Sequence, residues 1–224
     1  MAKNEDNTVS SKNQLTREQS IFGKDGTGKK ILFLGNSITR HGVNEGIGWL
    51  HDWGMAASSY EKDYVHQTMS MVYEKMPDAS FLVAQVSEWE RAFWDADLVD
   101  DRYAAAENYG ADIIVMRAIE NVQQKEFESR DFAAGYEMLL NKMNPDGHAK
   151  IVATSSFWPY PVRDELIKKI AEKNGWRFVD VAIGGDDKYT AKGLFEHAGV
   201  AAHPGDEGMA EIARRIFANI EDWL

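Results

Sequence analysis

The strongest constraint on the fold is a fivefold alternation of short apolar segments with amphipathic helical stretches. The apolar segments cover residues 31–34, 81–86, 113–116, 151–154 and 178–181. Short apolar runs that stop at turn residues are typical of strands buried on both faces of a sheet. Strands that alternate with helices form parallel sheets, because right-handed crossovers place the helices on the two faces. The sequence therefore predicts an α/β fold, a three-layer α/β/α sandwich around a five-stranded parallel sheet.

Helices are predicted between these strands and at the end of the chain, over residues 56–76, 98–109, 131–143, 162–173 and from Asp206 onward. Residues 23–30 look at first like a phosphate-binding loop. Lys30 stands where such a loop needs a serine or threonine for Mg²⁺, and a strand follows instead of a helix. We therefore expect a tight turn there, between residues 20–22 and the first parallel strand.

Length and composition indicate a single globular domain. The chain has 224 residues, a hydrophobic fraction of 44% and a formal net charge of −11, which disfavours nucleic acid and anionic membranes as partners. We expect residues 1–19 to form a flexible arm and residues 20–224 one domain. Without cysteine, redox chemistry does not indicate the compartment. The lack of a signal peptide predicts a cytoplasmic protein, although a secreted or periplasmic one fits if a signal has been removed.

Polar side chains follow the first three apolar segments at the same end of the predicted strands, and His203 lies in the final loop just before the last helix. In open parallel sheets ligands bind beyond the carboxyl ends of the strands, so these side chains are expected to converge on one crevice. A hydroxyl, an imidazole and an amide are the groups needed for acyl transfer through a serine. Considered without the others, Asn36 and Ser37 would more simply form a turn that caps the next helix. The set comprises Asn36, Ser37, Ser87, Glu88, Arg117, Glu120, Asn121 and His203.

These residues resemble the sequence blocks of the SGNH (GDSL-like) hydrolases. Gly35-Asn36-Ser37 is similar to the nucleophile block of that family, and His203-Pro204 resembles the block that carries its base histidine. The resemblance implies a flavodoxin-like strand order, Ser37 as nucleophile and His203 as base. It also implies that the Asn121 side chain and the Ser87 backbone N–H donate to the oxyanion. The nucleophile elbow of the α/β-hydrolases is not matched, because its last glycine is replaced by threonine.

Three positions depart from the family pattern. Val200 stands where the family usually has an aspartate, three residues before the histidine. Ser87 replaces a glycine of the second block, and Ile119 replaces a glycine two residues before Asn121. The first departure leaves the acid member of a catalytic triad unassigned.

Two alternatives remain for the group that orients His203. A backbone carbonyl could accept its proton, which would leave a Ser–His dyad, or a carboxylate could come from elsewhere in the chain. Glu196 and Asp186 are the candidates for such a carboxylate, whereas Asp206 is expected to cap the final helix. The choice matters because loss of the acid member of a triad can cost several orders of magnitude in rate.

Charged and aromatic residues near the strand ends are candidates for substrate binding. Arg117 and Glu120 could contact substrate or pair with each other. The tryptophans could stack on a sugar, or could simply pack in the core as large aromatics commonly do. The candidate set is Asn36, Arg117, Glu120, Trp53 and Trp89.

The resemblance implies a serine esterase for small acyl esters, and acetyl esters of carbohydrate are the favoured class. A degenerate member that binds carbohydrate without turnover, and an acyltransferase that uses the same serine, are the alternatives. We expect a small-molecule or glycan ester as partner, no nucleic acid and no membrane, and nothing indicates the oligomeric state. The remaining histidines lack metal-ligand spacing, so neither a metal nor a cofactor is expected.

Overall fold

A computed structural model describes residues 19–23 and 27–224, and its centre is a six-stranded sheet. The strands are β1 (Gln19–Phe22), β2 (Lys30–Gly35), β3 (Ser80–Gln85), β4 (Ile113–Arg117), β5 (Lys150–Thr154) and β6 (Arg177–Val179). Their order in the sheet is β1-β3-β2-β4-β5-β6. The arm predicted for residues 1–19 lies outside the described residues, except for Gln19, which begins β1.

The five strands from β2 to β6 pair in parallel, which confirms the predicted sheet and its flavodoxin-like order. The sixth strand, β1, was not predicted and lies antiparallel to β3, with Phe22 opposite Phe81. A tight turn into a hairpin between β1 and β2 is not formed, because β3 separates the two strands in the sheet. Residues 24–26 of this connection lie outside the described residues.

Strand β2 is apolar on both sides because each of its faces meets a separate layer of the core. Leu32 and Leu34 pack into the cluster formed with α3, α5 and α6 (Ala96–Glu107, Phe132–Met143 and Pro161–Asn174). Ile31 and Phe33 pack into the cluster formed with α1 and α8 (Tyr64–Lys75 and Asp206–Phe217). All four side chains are fully buried. Burial of each of these side chains contributes about 1.5–3 kcal/mol to stability, so this strand stabilises the packing of both layers.

Two helix starts differ from the prediction. Helix α1 begins at Tyr64 rather than near Ala56, because the Asp63 carboxylate caps it by accepting from His66 N at 2.8 Å. The N-cap of α8 is Gly205, and the Asp206 carboxylate instead accepts from Ser58 N at 2.9 Å and from Ser58 Oγ. Three short helices were not predicted: α2 (Ser87–Arg91), α4 (Gln124–Ser129) and α7 (Ala198–Ala201).

In the part of the chain that the structure covers, no helix combines the length and the apolar surface needed to cross a membrane.

Candidate active site

Ser37 lies two residues beyond the end of β2, in a tight turn at the carboxyl edge of the sheet. The turn closes because the carbonyl of Asn36 accepts from Thr39 N at 2.9 Å. Gly35 makes this possible, since a Cβ there would lie 1.7 Å from Thr39 Oγ1 and 2.7 Å from the carbonyl oxygen of Arg117. The strand therefore has to end at a glycine for the serine to reach its position.

The structure brings His203 and Ser37 together, with His203 Nε2 2.8 Å from Ser37 Oγ. His203 lies in the loop between α7 and α8, and its carbonyl accepts from Ala191 N at 2.8 Å. The ring of Trp158 packs edge-on to the imidazole, with ring centroids 5.2 Å apart and an interplanar angle of 88°. The backbone and this aromatic ring together hold the imidazole against the serine.

The second ring nitrogen of His203 faces the backbone. Nδ1 lies 2.6 Å from the carbonyl oxygen of Gly199. A carbonyl only accepts hydrogen bonds, so Nδ1 carries the proton and Nε2 is left as an acceptor toward Ser37. Of the two alternatives for the partner of His203, this contact is the backbone carbonyl.

The carboxylates considered from the sequence are engaged elsewhere or exposed. Asp186 caps a short 3-10 helix by accepting from Lys188 N at 3.1 Å, and Glu196 lies exposed on the surface. At the position of the missing aspartate, Val200 is fully buried in a small apolar cluster with Trp49. The site therefore contains a serine and a histidine without a carboxylate on the imidazole.

The surroundings of His203 keep its ring neutral. Burial lowers the pKa of His203 to about 4, and the positive charge of Arg117 acts in the same direction, against the Gly199 carbonyl and Glu120. At neutral pH the ring is therefore unprotonated at Nε2. A neutral imidazole that accepts from a serine hydroxyl is the arrangement that allows proton removal during nucleophilic attack.

Ser87, predicted to offer a backbone donor, stands at the start of α2. It is the first residue of α2, so its N–H lies in the first turn, where no helical carbonyl is available to it. Its hydroxyl is used locally and donates to Gln85 Oε1 at 2.6 Å. Val86 N donates to the carbonyl of Gly35 at 2.6 Å, which fixes the start of α2 beside the nucleophile turn.

Asn121 lies four residues beyond the end of β4, the neighbour of β2 in the sheet. Its side-chain Nδ2 donates to Glu90 Oε2 at 2.6 Å, and its backbone N donates to Glu90 Oε1 at 3.2 Å. A primary amide has two hydrogens on its nitrogen, so one remains available after the bond to Glu90. Asn121 can therefore act as a donor whose orientation is fixed by a carboxylate.

Arg117 pairs with Glu120, which is one of the two roles considered for them, and Asn36 joins them in a buried network beneath the strand ends. The network takes the place of the substrate contacts predicted for these three residues. Arg117 donates to Asn36 Oδ1 at 2.8 Å and forms an ion pair with Glu120, while Asn36 Nδ2 donates to both Glu120 and Glu90. Asn36 and Arg117 have no exposed surface, and the Glu120 side chain is 6% exposed. Their hydrogen bonds and ion pair hold the strand ends together. Because they are buried, they are kept away from a bound substrate.

The two candidate tryptophans lie in different environments. Trp89 is fully buried and packs on Phe132 and Tyr136 in the core, so it is not available to a substrate. Trp53 is partly buried and stacks on His51, with ring centroids 4.1 Å apart. Of the two roles considered for the tryptophans, stacking on a sugar and packing in the core, Trp89 has the second.

A polar cleft of about 530 Å³ lies between α2 and the loop that follows Ser37, and neither Ser37 nor His203 is among its lining residues. One wall is the loop that follows the nucleophile, with Arg40, His41 and Asn44, and the other is α2 with Ser87 and Arg91. Its lining offers guanidinium, amide and hydroxyl groups suited to hydrogen bonds with a hydroxylated ligand. Within the described residues, no group of three or more histidine, aspartate or glutamate side chains could hold a metal ion.

Glu90, Gly199 and Trp158 complete the site, and none of them was singled out as a site residue from the sequence. Gly199 acts through a carbonyl that every residue type carries, so the sequence contains no signal for it. Trp158 was not among the tryptophans of the candidate set. Glu90 lies on α2, three residues after Ser87, and its role depends on burial, which the sequence does not show.

Comparisons with known proteins agree with this architecture. No protein-family model matches the sequence, and no curated protein is found to be similar. Among solved structures, Axe2, an acetylxylan esterase from Geobacillus stearothermophilus, is 21% identical, with a TM-score of 0.54 over 87% of this chain and 95% of that one. A protein described as a GDSL-like lipase from Bacteroides ovatus is 14% identical, with a TM-score of 0.57 over 87% and 98%.

A third structure is a two-domain esterase active on acetylated mannans. It is 15% identical, with a TM-score of 0.53, and the match covers 87% of this chain and 48% of that one. At these identities the likeness concerns the fold alone, and it confirms the expected α/β/α fold. The chain thus has the α/β/α fold of the SGNH, or GDSL-like, hydrolases.

Proposed function

We propose that this protein is a serine esterase that removes acetyl groups from carbohydrate. The observation that carries the proposal is the 2.8 Å contact between Ser37 Oγ and a His203 nitrogen whose partner nitrogen is held by Gly199. This contact supplies a hydroxyl and a neutral base in reach of each other. Neither group needs a metal or a cofactor for ester hydrolysis by this route.

The reaction would proceed through an acyl-enzyme. Ser37 Oγ attacks the ester carbonyl while His203 Nε2 takes the hydroxyl proton, and the carbonyl oxygen becomes an oxyanion. The N–H groups of Ser37 and Ser87 and the free amide hydrogen of Asn121 stabilise that charge. His203 then gives its proton to the leaving alcohol. Water repeats the sequence on the acyl-enzyme and releases acetate.

The substrate class is proposed from two observations. Two of the compared structures are esterases of acetylated polysaccharides, an acetylxylan esterase and an esterase active on acetylated mannans. The cleft between α2 and the loop that follows Ser37 is lined mostly by polar side chains, which fit the hydroxyls of a sugar better than a long acyl chain. A substrate with a small acyl group on a carbohydrate agrees with both observations.

Hydrolysis of a chromogenic acetate ester tests the proposal. Wild type is expected to release the chromophore, and Ser37→Ala should lose the activity by several orders of magnitude, because loss of the nucleophile leaves only residual catalysis. Ser70→Ala, an exposed serine on α1, is the matched control and should behave as wild type. Equal rates for wild type and Ser37→Ala would reject the esterase.

A second candidate is a protein that binds acetylated carbohydrate without turnover. It is favoured by the carbonyl of Gly199 in the place of a carboxylate, since a carbonyl stabilises an imidazolium less than an anion does. A serine-directed fluorophosphonate separates the two functions. Covalent labelling of Ser37 supports the esterase, whereas glycan binding with an unlabelled serine supports the binding protein.

A further inference from the structure

We infer that Glu90 is a positioning residue for the oxyanion donors, acting through Asn121 and the turn at Ile119. The inference rests on the proposed esterase function and assigns a role to the only buried carboxylate on α2. Glu90 is fully buried, yet it lies on a five-residue helix at the edge of the site. A carboxylate is costly to bury, so its hydrogen bonds need to account for its position.

Four donors converge on the two oxygens of Glu90. Oε1 accepts from Ile119 N at 2.6 Å, from Asn36 Nδ2 at 3.0 Å and from Asn121 N at 3.2 Å. Oε2 accepts from Asn121 Nδ2 at 2.6 Å. One carboxylate therefore links the residue before the nucleophile to both the backbone and the side chain of the proposed oxyanion donor.

Glu90 also supports an unusual backbone conformation two residues before Asn121. Ile119 has φ 143°, a region that β-branched residues avoid and that glycine adopts readily. In this conformation its N–H turns toward Glu90 Oε1 and forms the shortest of the three bonds to that oxygen. The carboxylate thus holds a turn that the isoleucine does not favour, and the turn carries Asn121.

The direction of the Asn121 amide follows from these contacts. Burial and Glu120 raise the pKa of Glu90, whereas the donors from Asn121 and Asn36 favour its ionised form. In that form Oε2 only accepts, so the side chain of Asn121 presents its nitrogen to it and its oxygen elsewhere. The second amide hydrogen then has a fixed direction before substrate arrives. Donors that are oriented in advance stabilise an oxyanion without reorganising during the reaction.

A glutamine at position 90 would disturb this order with little change in shape. Its Oε1 could keep the three bonds to the backbone and to Asn36, but its NH₂ group would then face the NH₂ group of Asn121. The Asn121 amide would have to rotate by half a turn to offer its oxygen, and its nitrogen would point away from its present direction. The variant Glu90→Gln therefore tests positioning rather than bulk packing.

Steady-state hydrolysis of a chromogenic acetate ester measures the effect. Glu90→Gln is expected to lower kcat about 10- to 100-fold and to leave KM within about twofold. This fall in kcat is no larger than the one expected when an oxyanion donor is removed altogether. Rates are divided by the amount of enzyme titrated with a serine-directed fluorophosphonate, so a smaller folded fraction does not count as lost activity. Glu90→Asp, which keeps the charge but withdraws its oxygens, serves as a second variant with the same expectation.

Asp112→Asn is the matched control. Asp112 also accepts from a backbone N–H, that of Lys30 at 2.9 Å, but at the opposite end of β2. Its change to an amide should leave kcat and KM at the values of wild type. A loss of kcat in this control as large as that in Glu90→Gln would assign the effect to general weakening of the fold and overturn the inference.

A double-mutant cycle with Asn121→Ala closes the test. If Glu90 acts through Asn121, Glu90→Gln lowers kcat far less in the Asn121→Ala background than in wild type. If Glu90→Gln lowers kcat by the same factor in both backgrounds, or leaves kcat unchanged while wild type is active, the positioning role of Glu90 is overturned. The proposed esterase function is then unaffected. A wild type that neither hydrolyses acetate nor is labelled at Ser37 overturns the proposed function, and the positioning role with it.

Discussion

A pair of substitutions at Ile119 measures how far its backbone is strained. Ile119→Gly and Ile119→Ala both remove the side chain from the core, where it is fully buried. They differ only in the Cβ, which alanine keeps and glycine lacks. Comparing the two variants with each other therefore cancels most of the cost of losing the isoleucine side chain, about 2–5 kcal/mol by analogy with other cores.

The expected difference follows from two opposing effects. At an ordinary position glycine is less stable than alanine by about 0.5–1 kcal/mol, because the unfolded chain is more flexible. At φ 143° a residue with a Cβ carries strain of about 1–3 kcal/mol that glycine does not. Taken together, Ile119→Gly is expected to be more stable than Ile119→Ala by about 0.5–2 kcal/mol.

Urea unfolding followed by circular dichroism gives the two free energies of unfolding. Val122 is the control, since it is buried in the same cluster and has no positive φ. There Val122→Gly should be less stable than Val122→Ala, in the usual order. If Ile119→Gly is also less stable than Ile119→Ala, the turn before Asn121 is unstrained. The claim that Glu90 stabilises a strained backbone at Ile119 is then refuted.

Two further predictions concern the base and the turn of the nucleophile. Because the imidazole must be neutral to accept a proton and burial lowers the pKa of His203 to about 4, kcat/KM should rise as the pH increases through about 4 and stay level to neutrality. A pH profile of acetate hydrolysis with an inflection near the ordinary histidine value of 6.5 would contradict this. Gly35→Ala is expected to lower the free energy of unfolding by about 3 kcal/mol or more, since its Cβ would lie 2.7 Å from the carbonyl oxygen of Arg117. Gly42→Ala, with no atom near its Cβ, should change the free energy of unfolding by no more than about 0.5 kcal/mol in urea titrations, and an equal loss in both variants would refute the clash.

The sheet and the Ser37–His203 contact were within reach of the sequence. Apolar runs such as residues 31–34 report burial on both faces, and the order of strands and helices limits the topology to a few choices. Polar residues that follow these runs must then meet at one edge. This reasoning, together with the resemblance of the blocks around Ser37 and His203 to those of the SGNH hydrolases, brought together residues that lie 166 positions apart in the chain.

Roles that depend on burial or on backbone atoms were out of reach. Trp89 and Trp53 look alike as aromatics near strand ends, and only the packing of α2 places one of them in the core. The sequence left open whether Arg117 and Glu120 bind a substrate or pair with each other, and only the structure shows that they pair and that Asn36 is buried with them. The start of α1 was missed because a capping aspartate at position 63 ends an irregular segment that has helical composition.

The contact between His203 Nδ1 and the Gly199 carbonyl also bears on how the site tolerates mutation. A carboxylate partner is lost by changing a single codon, because only two residue types carry one. A main-chain carbonyl is present whichever amino acid is encoded. The acceptor of the Nδ1 proton is therefore kept whatever side chain residue 199 carries, provided that the ring of His197 moves away from a Cβ that would lie 2.9 Å from its Cε1. Insertions, deletions or proline in the segment from 199 to 203 would instead move the carbonyl itself.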